Sequence, residues 1–399
     1  MKITMFLTAV LAGIVLQAAD VPVKGFFNVR NWRPDRAGAT KSWQLVKEDG
    51  KVVAVKLSHP GIANIEIYRN NYPIDDGKDL NKCYAGVAFE VKGDGSSEWG
   101  AITISEVSMI SGRYYFPVKD TNWHEVRVSF ADMAPSGDHT LGLPAMMPVG
   151  RIGQISFNDR WPINWCNAKR PGFSYEVRNF RLIEDMKPAI CTKNVKARPL
   201  TDVIKDMKNG KKVLVTCFGD SITAGTGLAK TDKRYAVLLG EMLRESFKNA
   251  NITSECVAIG GAHTYDSICW LDRDLTKGNP DVATMLIGYN NRSGAQTTEM
   301  YRAQLEMWIE RLLAKTGNKT AIILIPSVPG VPRWETQDDM AEVNYQVAKK
   351  YNCTICPIEK AVKEFGPFEY RKTLLKDAIH PNQAGHKLFA QELLKLFVK

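Results

Sequence analysis

Residues 213–223 read VLVTCFGDSIT, an apolar strand followed by a polar turn. A serine at a strand-to-helix turn can expose its hydroxyl above a sheet, with its own backbone N–H near a helix N-terminus. Ser221 is therefore a candidate nucleophile. An Asp-Ser pair before a helix is also a common N-cap, so this stretch alone leaves both interpretations open.

The region around this stretch alternates between short apolar strands and amphipathic helices. We predict strands at 213–218, 253–259, 281–287, 320–325 and 353–357, and helices at 232–248, 297–315, 336–350 and 382–398. Such alternation predicts a parallel sheet with right-handed crossovers and helices on both faces. Ligands bind such sheets beyond the C-terminal ends of the strands, so reactive residues are expected directly after each strand.

Suitable residues do follow the predicted strands. The backbone N–H of Gly261 could donate to an oxyanion, because glycine allows close approach of a ligand. Asn290, after the third strand, could supply a further donor. His380 could take the Ser221 proton as general base, and Asp377 could orient His380 and stabilise its imidazolium. Together the segments are more informative than any one of them.

These segments resemble the four motif blocks of the SGNH hydrolases, a branch of the GDSL esterases and lipases. The resemblance covers residues 211–399 and implies a flavodoxin-like, three-layer α/β/α domain with a five-stranded parallel sheet. It implies acyl transfer to water by a triad of Ser221, His380 and Asp377, with neither metal nor organic cofactor. The implied oxyanion hole consists of the backbone N–H groups of Ser221 and Gly261 and the Asn290 side chain.

Two positions depart from the family pattern. Cys256 stands where the second block usually begins with Asn, and Asn291 stands where the third block usually ends in Asp. Three further residues are candidates for substrate contact: Trp334, Asp220 and His263. For Trp334 and His263 a structural role is an open alternative.

The preceding region has a different pattern. Period-two alternation at 84–91, 123–130, 152–157 and 173–182, separated by turn residues, predicts a β-sandwich over residues 20–190. This region loosely resembles the jelly-roll carbohydrate-binding modules. Trp161 and Trp165 in a loop-like stretch could stack on sugars, or could belong to the core.

A jelly-roll domain before an SGNH domain resembles secreted acetyl esterases, including the second carbohydrate esterase family. The resemblance favours removal of O-acetyl groups from an acetylated polysaccharide. Two alternatives remain: an esterase of lipids such as lysophospholipids, and a glycan-binding protein with an inactive hydrolase domain. The sandwich could also merely support the catalytic domain.

The chain ends and linkers complete the predicted organisation. Residues 1–19 have a basic start, an apolar run and small residues, which is typical of a cleaved signal peptide, so we expect secretion or export to the periplasm. Residues 191–210 are polar and basic and are predicted as a linker. No later segment is long and apolar enough to predict a membrane span.

Charge and cysteines narrow the partners further. The net charge of +10 favours anionic partners, but the cations are scattered and no nucleic-acid motif accompanies them. An acidic polysaccharide or cell-wall surface and a merely solvated surface both fit. Of eight cysteines, Cys353 and Cys356 fit a core strand better than a metal or redox motif. The pairing of the others and the oligomeric state do not follow from the sequence.

Overall fold

The structure is a computed structural model. It describes residues 20–23, 26–27, 32–34, 43–59, 68–70, 79–108, 110–137, 139–157, 172–190, 192–276 and 278–398. The expected signal peptide lies outside these ranges, as do Trp161, Trp165, Cys166 and Cys191.

The N-terminal region is built from antiparallel strands in two larger sheets. The first sheet contains β1 (Val21–Pro22), β3 (Trp43–Glu48), β4 (Lys51–His59), β7 (Gly86–Gly93), β10 (His124–Ser129) and β14 (Phe173–Ile183). The second contains β2 (Trp32–Pro34), β5 (Tyr68–Asn70), β8 (Trp99–Glu106), β9 (Ser111–Pro117), β11 (Ala134–Pro135) and β13 (Ile152–Phe157). Two short strands, β6 (Cys83–Tyr84) and β12 (Met147–Pro148), pair with each other.

The two sheets pack face to face around an aromatic core. The ring of Phe89 in β7 lies 5.4 Å from that of Phe116 in β9 and 5.5 Å from that of Phe157 in β13. Val87 and Val91 are buried on the same face of β7 as Phe89, because side chains along a strand alternate between its two faces. The apolar positions of the period-two pattern in this strand therefore face the core between the two sheets.

The C-terminal region contains a five-stranded, fully parallel sheet, as predicted. Its strands are β15 (Val213–Gly219), β16 (Ile252–Ala258), β17 (Val282–Leu286), β18 (Ala321–Ile325) and β19 (Thr354–Ile355). Their order in the sheet is β16-β15-β17-β18-β19. This is the flavodoxin-like order, in which ligands bind where the strand order reverses, between the first and third strands. Here that position lies between the ends of β15 and β17.

Helices cover both faces of this sheet. They are α1 (Leu200–Lys208), α2 (Ser221–Ala224), α3 (Tyr235–Phe247), α4 (Thr264–Cys269), α5 (Leu271–Asp274), α6 (Tyr289–Ser293), α7 (Thr298–Thr316), α8 (Asp338–Tyr351), α9 (Ile358–Lys363), α10 (Gly366–Leu374) and α11 (Gln383–Leu394). None of the helices in the described part of the chain is long and apolar enough to cross a membrane.

The segment predicted as a linker, 191–210, differs in part from that expectation. Its second half forms α1, whose Leu200, Val203 and Met207 are buried against the core of the C-terminal region. Lysines on the exposed face of this amphipathic helix give the segment its polar composition, and its apolar residues recur at helical spacing.

The two regions share a buried polar interface. The Arg311 side chain of α7 is 7% exposed and donates to the backbone carbonyl oxygens of residues 131–133 at 2.6–3.2 Å. Trp270 Nε1 donates to the Tyr115 hydroxyl of β9 at 2.9 Å. Since buried carbonyl groups are costly to leave without donors, the sandwich and the C-terminal region depend on each other for these hydrogen bonds.

Candidate active site

The turn after β15 brings Ser221 to the C-terminal edge of the sheet. Ser221 is the first residue of α2, and Asp220 caps this helix by accepting the Ile222 N–H at its Oδ1, 2.9 Å away. No residue larger than glycine fits at position 219, because an added Cβ would overlap Thr223 and lie 2.5 Å from Leu286 O. The tight turn therefore needs glycine, and it leaves the Ser221 N–H among the first amides of a helix, which have no intrahelical acceptor.

The structure places His380 between Ser221 and Asp377. His380 Nε2 lies 3.1 Å from Ser221 Oγ, and His380 Nδ1 lies 2.8 Å from Asp377 Oδ2. This is the spacing of a nucleophile, a general base and a group that orients the base. The three side chains that were expected to form a triad therefore lie in one hydrogen-bonded row.

Asp377 is held by its own loop. Its Oδ1 accepts the backbone N–H groups of Ile379 at 2.7 Å and His380 at 2.8 Å. Partial burial raises the pKa of Asp377, but hydrogen bonds from His380 and Ile379 outweigh this effect and lower the pKa below its usual value. Asp377 is therefore a carboxylate at neutral pH, as needed to stabilise a protonated His380.

Gly261 and Asn290 follow β16 and β17, on either side of the Ser221 turn. Strand register aligns Gly219 with Ala258 and with Leu286, so the three loops start at the same level. Gly261 has φ of +75°, a left-handed conformation that favours glycine. The loops that carry the implied oxyanion donors therefore converge beside Ser221.

The Asn290 side chain is already engaged. Its Nδ2 donates to Ala262 O at 3.1 Å and to Asp220 Oδ2 at 3.3 Å. The Asp220 side chain is 1% exposed, and burial raises its pKa to about 6, although the Ile222 amide and the nearby His380 and His263 oppose the rise. Asp220 thus acts here as a helix cap and as an acceptor that orients Asn290.

His263 and Trp334 occupy different surroundings. His263 is the N-cap of α4, its ring stacks on that of Tyr265 at 5.2 Å, and Nδ1 lies 3.7 Å from the buried Asp266 carboxylate. It also lies near enough to Asp220 to affect its pKa, which places it beside the site. Trp334 is partly buried and packs on Tyr370, 5.7 Å between ring centres.

Two side chains near Asp377 were not singled out from the sequence. The Arg333 guanidinium lies over the Tyr289 ring, 5.4 Å from its centre. Burial raises the pKa of Tyr289, and Arg333 opposes this while Asp377 and Asp220 contribute to it. A backbone hydrogen bond joins the loop that carries Arg333 to the loop that carries Asp377, since Val331 N donates to Ala378 O at 2.9 Å. In the sequence, the position of Arg333 directly before Trp334 was the feature that could have indicated its place near the site.

His386 lies apart from these reactive groups. It is fully buried on α11, stacks on Tyr235, and accepts the Tyr235 N–H at Nδ1, 3.2 Å away. Burial lowers its pKa to about 4, so the ring is neutral at pH 7. Among the residues that the structure covers, no group of three or more His, Cys, Asp or Glu side chains is arranged to hold a metal ion.

Comparison with known proteins gives a family match for this region. Residues 217–388 match the model of the GDSL-like lipase/acylhydrolase family. No curated protein matches the sequence.

Several solved structures are similar to the chain. A protein from Parabacteroides merdae described as a GDSL-like lipase is 19% identical with a TM-score of 0.41, over 52% of this chain and 99% of that chain. An acetylxylan esterase from Geobacillus stearothermophilus is 22% identical with a TM-score of 0.39, over 46% and 94% of the two chains. A two-domain esterase active on acetylated mannans is 22% identical with a TM-score of 0.42, over 50% and 54%. Residues 217–388 thus match the GDSL-like lipase/acylhydrolase family model, and this match supports an ester hydrolase.

Proposed function

We propose that this protein is a serine esterase that removes O-acetyl groups from a polysaccharide. Ser221 Oγ attacks the ester carbonyl while His380 Nε2 takes the hydroxyl proton. The backbone N–H groups of Ser221 and Gly261 and the Asn290 side chain stabilise the negative charge on the carbonyl oxygen. His380 then gives this proton to the sugar oxygen as the ester C–O bond breaks, so that the sugar leaves with a free hydroxyl. A water molecule, deprotonated by His380, then attacks the acyl-enzyme and releases acetate, and the proton returns to Ser221 Oγ.

The single observation that carries the proposal is the position of His380. Its two ring nitrogens lie 3.1 Å from Ser221 Oγ and 2.8 Å from Asp377 Oδ2. Ordinary helix capping explains Asp220 and leaves this arrangement unexplained, because a capping serine needs no histidine behind its hydroxyl. The same geometry argues against a disabled hydrolase domain.

The openness of the site supports a polymeric substrate. The Asp377 side chain is 53% exposed and that of His380 is 19% exposed, so the histidine end of the site borders solvent. A glycan chain can lie across such an edge and present one acetylated hydroxyl to Ser221. A long acyl chain would instead need an apolar pocket to bury it.

The asparagine amide gives the mechanism a specific feature. Both Nδ2 hydrogens of Asn290 have acceptors, and the bond to Asp220 is the longer one at 3.3 Å. An oxyanion would take the hydrogen that now points to Asp220. Asn290 is thereby held near its working orientation before substrate arrives, which lowers the reorganisation needed during the reaction.

Export to the periplasm or the extracellular space is part of the proposal. It depends on residues 1–19, which have the pattern of a signal peptide. Export would place the enzyme where polysaccharides occur. Mass spectrometry of the N-terminus after expression with an intact leader tests this, because retention of Met1 would contradict cleavage.

The test of the esterase is hydrolysis of an aryl acetate by the wild type and by Ser221→Ala. We expect a loss of about 10⁴-fold or more in kcat, by analogy with other triads. Equal rates in the two proteins would refute the proposal. Acetate release from native acetylated polysaccharides, compared with hydrolysis of long-chain acyl esters and lysophospholipids, then separates a glycan esterase from a lipid esterase.

A further inference from the structure

Four buried polar side chains form a continuous hydrogen-bonded chain behind the oxyanion loops. Each of them is at most 1% exposed. Thr264 Oγ1 donates to Asn291 Oδ1 at 3.3 Å, and Asn291 Nδ2 donates to Gln296 Oε1. Gln296 Nε2 donates in turn to Gln304 Oε1 at 2.8 Å. We call Thr264, Asn291, Gln296 and Gln304 the amide relay.

The far end of the amide relay lies in the sandwich. Gln304 Nε2 donates to Thr140 O at 3.1 Å and to Gly137 O at 3.3 Å. Backbone carbonyls can only accept, so Gln304 must turn its NH₂ group toward them and its oxygen toward Gln296. The same constraint passes along to Asn291. The sandwich carbonyls thus fix the direction of every amide in the relay, and bonds that point the same way strengthen one another.

The near end of the amide relay lies between the two loops that carry oxyanion donors. Thr264 begins α4, three residues after Gly261, and Asn291 directly follows Asn290. The Thr264–Asn291 hydrogen bond therefore ties one loop to the other. A second tie runs beside it, from Asn290 Nδ2 to Ala262 O at 3.1 Å.

We propose that Asn291, Gln296 and Gln304 are positioning residues through which the sandwich sets the geometry of the oxyanion hole. This inference rests on the proposed esterase function. It makes the sandwich a working part of the active site, whether or not the sandwich also binds sugar.

The amide relay also accounts for asparagine at 291. An aspartate there has no hydrogen to donate, so Gln296 would have to turn its NH₂ group toward it. Gln304 would then turn as well and point its oxygen at the carbonyls of Thr140 and Gly137. Two acceptors facing each other in a buried site are unfavourable, so the sandwich end of the relay selects an amide at 291.

The experiment compares Gln304→Met and Asn291→Asp with the wild type, using steady-state hydrolysis of an aryl acetate and thermal unfolding. We expect kcat to fall by about 10- to 100-fold in each with KM nearly unchanged, because small displacements of reacting groups are costly. The double variant should be little slower than the slower single variant, since both changes break one relay.

The matched control is Asn249→Leu. Asn249 is also a buried amide whose Nδ2 donates to two backbone carbonyls, Met207 O at 3.0 Å and Lys211 O at 2.9 Å. It lies at the opposite end of the sheet, next to the start of β16. This variant should lower the melting temperature as Gln304→Met does but keep the wild-type kcat.

Two results would overturn the inference that the amide relay positions the oxyanion hole. One is a wild-type kcat in Gln304→Met or Asn291→Asp; the other is effects that multiply in the double variant. Failure of the esterase proposal is distinguishable, because there the wild type and Ser221→Ala would hydrolyse the ester equally well.

Discussion

Replacing Asp220 by asparagine should change how stability depends on pH. The pKa of Asp220 rises from 3.8 to about 6 in the folded protein. At about 1.4 kcal/mol per pH unit, ionising this buried carboxyl group lowers the free energy of unfolding by roughly 3 kcal/mol. That stability is fully present below pH 4, where Asp220 is protonated in both states, and is lost as the pH rises to about 6. Asparagine does not ionise, so Asp220→Asn escapes this loss.

The assay is urea unfolding of the wild type and Asp220→Asn at intervals from pH 4 to pH 8. The difference between their unfolding free energies should rise in favour of the variant by roughly 3 kcal/mol between pH 4 and pH 6, then stay level. The substitution also alters the hydrogen bond from Asn290, but this adds a constant to the difference in unfolding free energy at every pH, so it does not affect the change between pH 4 and pH 6. Asp185→Asn, at an exposed carboxylate, serves as the control for removal of a surface charge. Parallel curves for Asp220→Asn would refute the reasoning.

Three further predictions concern the site and its support. Asp377→Asn should lower kcat for an aryl acetate, by up to about 10⁴-fold, because the carboxylate that stabilises the protonated histidine is lost; an unchanged kcat would contradict the role of Asp377. Gly219→Ala should destabilise the protein by more than about 4 kcal/mol in thermal unfolding, because its Cβ would overlap Thr223, and a near-wild-type melting temperature would contradict the steric argument. Deleting residues 20–190 should yield an insoluble or poorly active fragment, because Arg311 loses its three carbonyl acceptors; a soluble, fully active remainder with weaker polysaccharide binding would instead support a separate binding module.

The parallel sheet was predictable because its strands are short apolar runs with no competing pattern. The predicted strand at 213–218 and β15 differ by one residue, and the long helices agree within a few residues. A helix was expected directly after the Ser221 turn, but the short helices α4, α5, α6 and α9 were not predicted, since one or two turns of helix have too few residues to show an apolar period. Helix α1 was predicted as part of a linker, because its exposed lysines make the segment polar and basic in composition.

The reactive residues were predictable for another reason. Ser221, Gly261 and Asn290 follow strands of the sheet, and the position of a loop at the edge of a parallel sheet depends on topology. Asp377 and His380 lie instead in the loop between α10 and α11, directly before the last helix. The amide relay was not predictable, because Gln296 and Gln304 are ordinary polar residues in the sequence. The sandwich carbonyls that Gln304 contacts lie more than a hundred residues away in the sequence, and only the packing of the two regions brings them together.

The loop that carries Asp377 and His380 is closed on itself. Leu375 pairs with Pro381, and Lys376 N donates to His380 O at 2.9 Å. The orienting carboxylate and the histidine are therefore carried on one small loop, while the nucleophile lies on α2 after β15. A shift of this loop would lengthen the distance from His380 to Ser221 and leave the Asp377–His380 pair intact. The Asp377–His380 pair is thus set within one loop, while the distance from His380 to Ser221 is set by how that loop packs against the turn after β15.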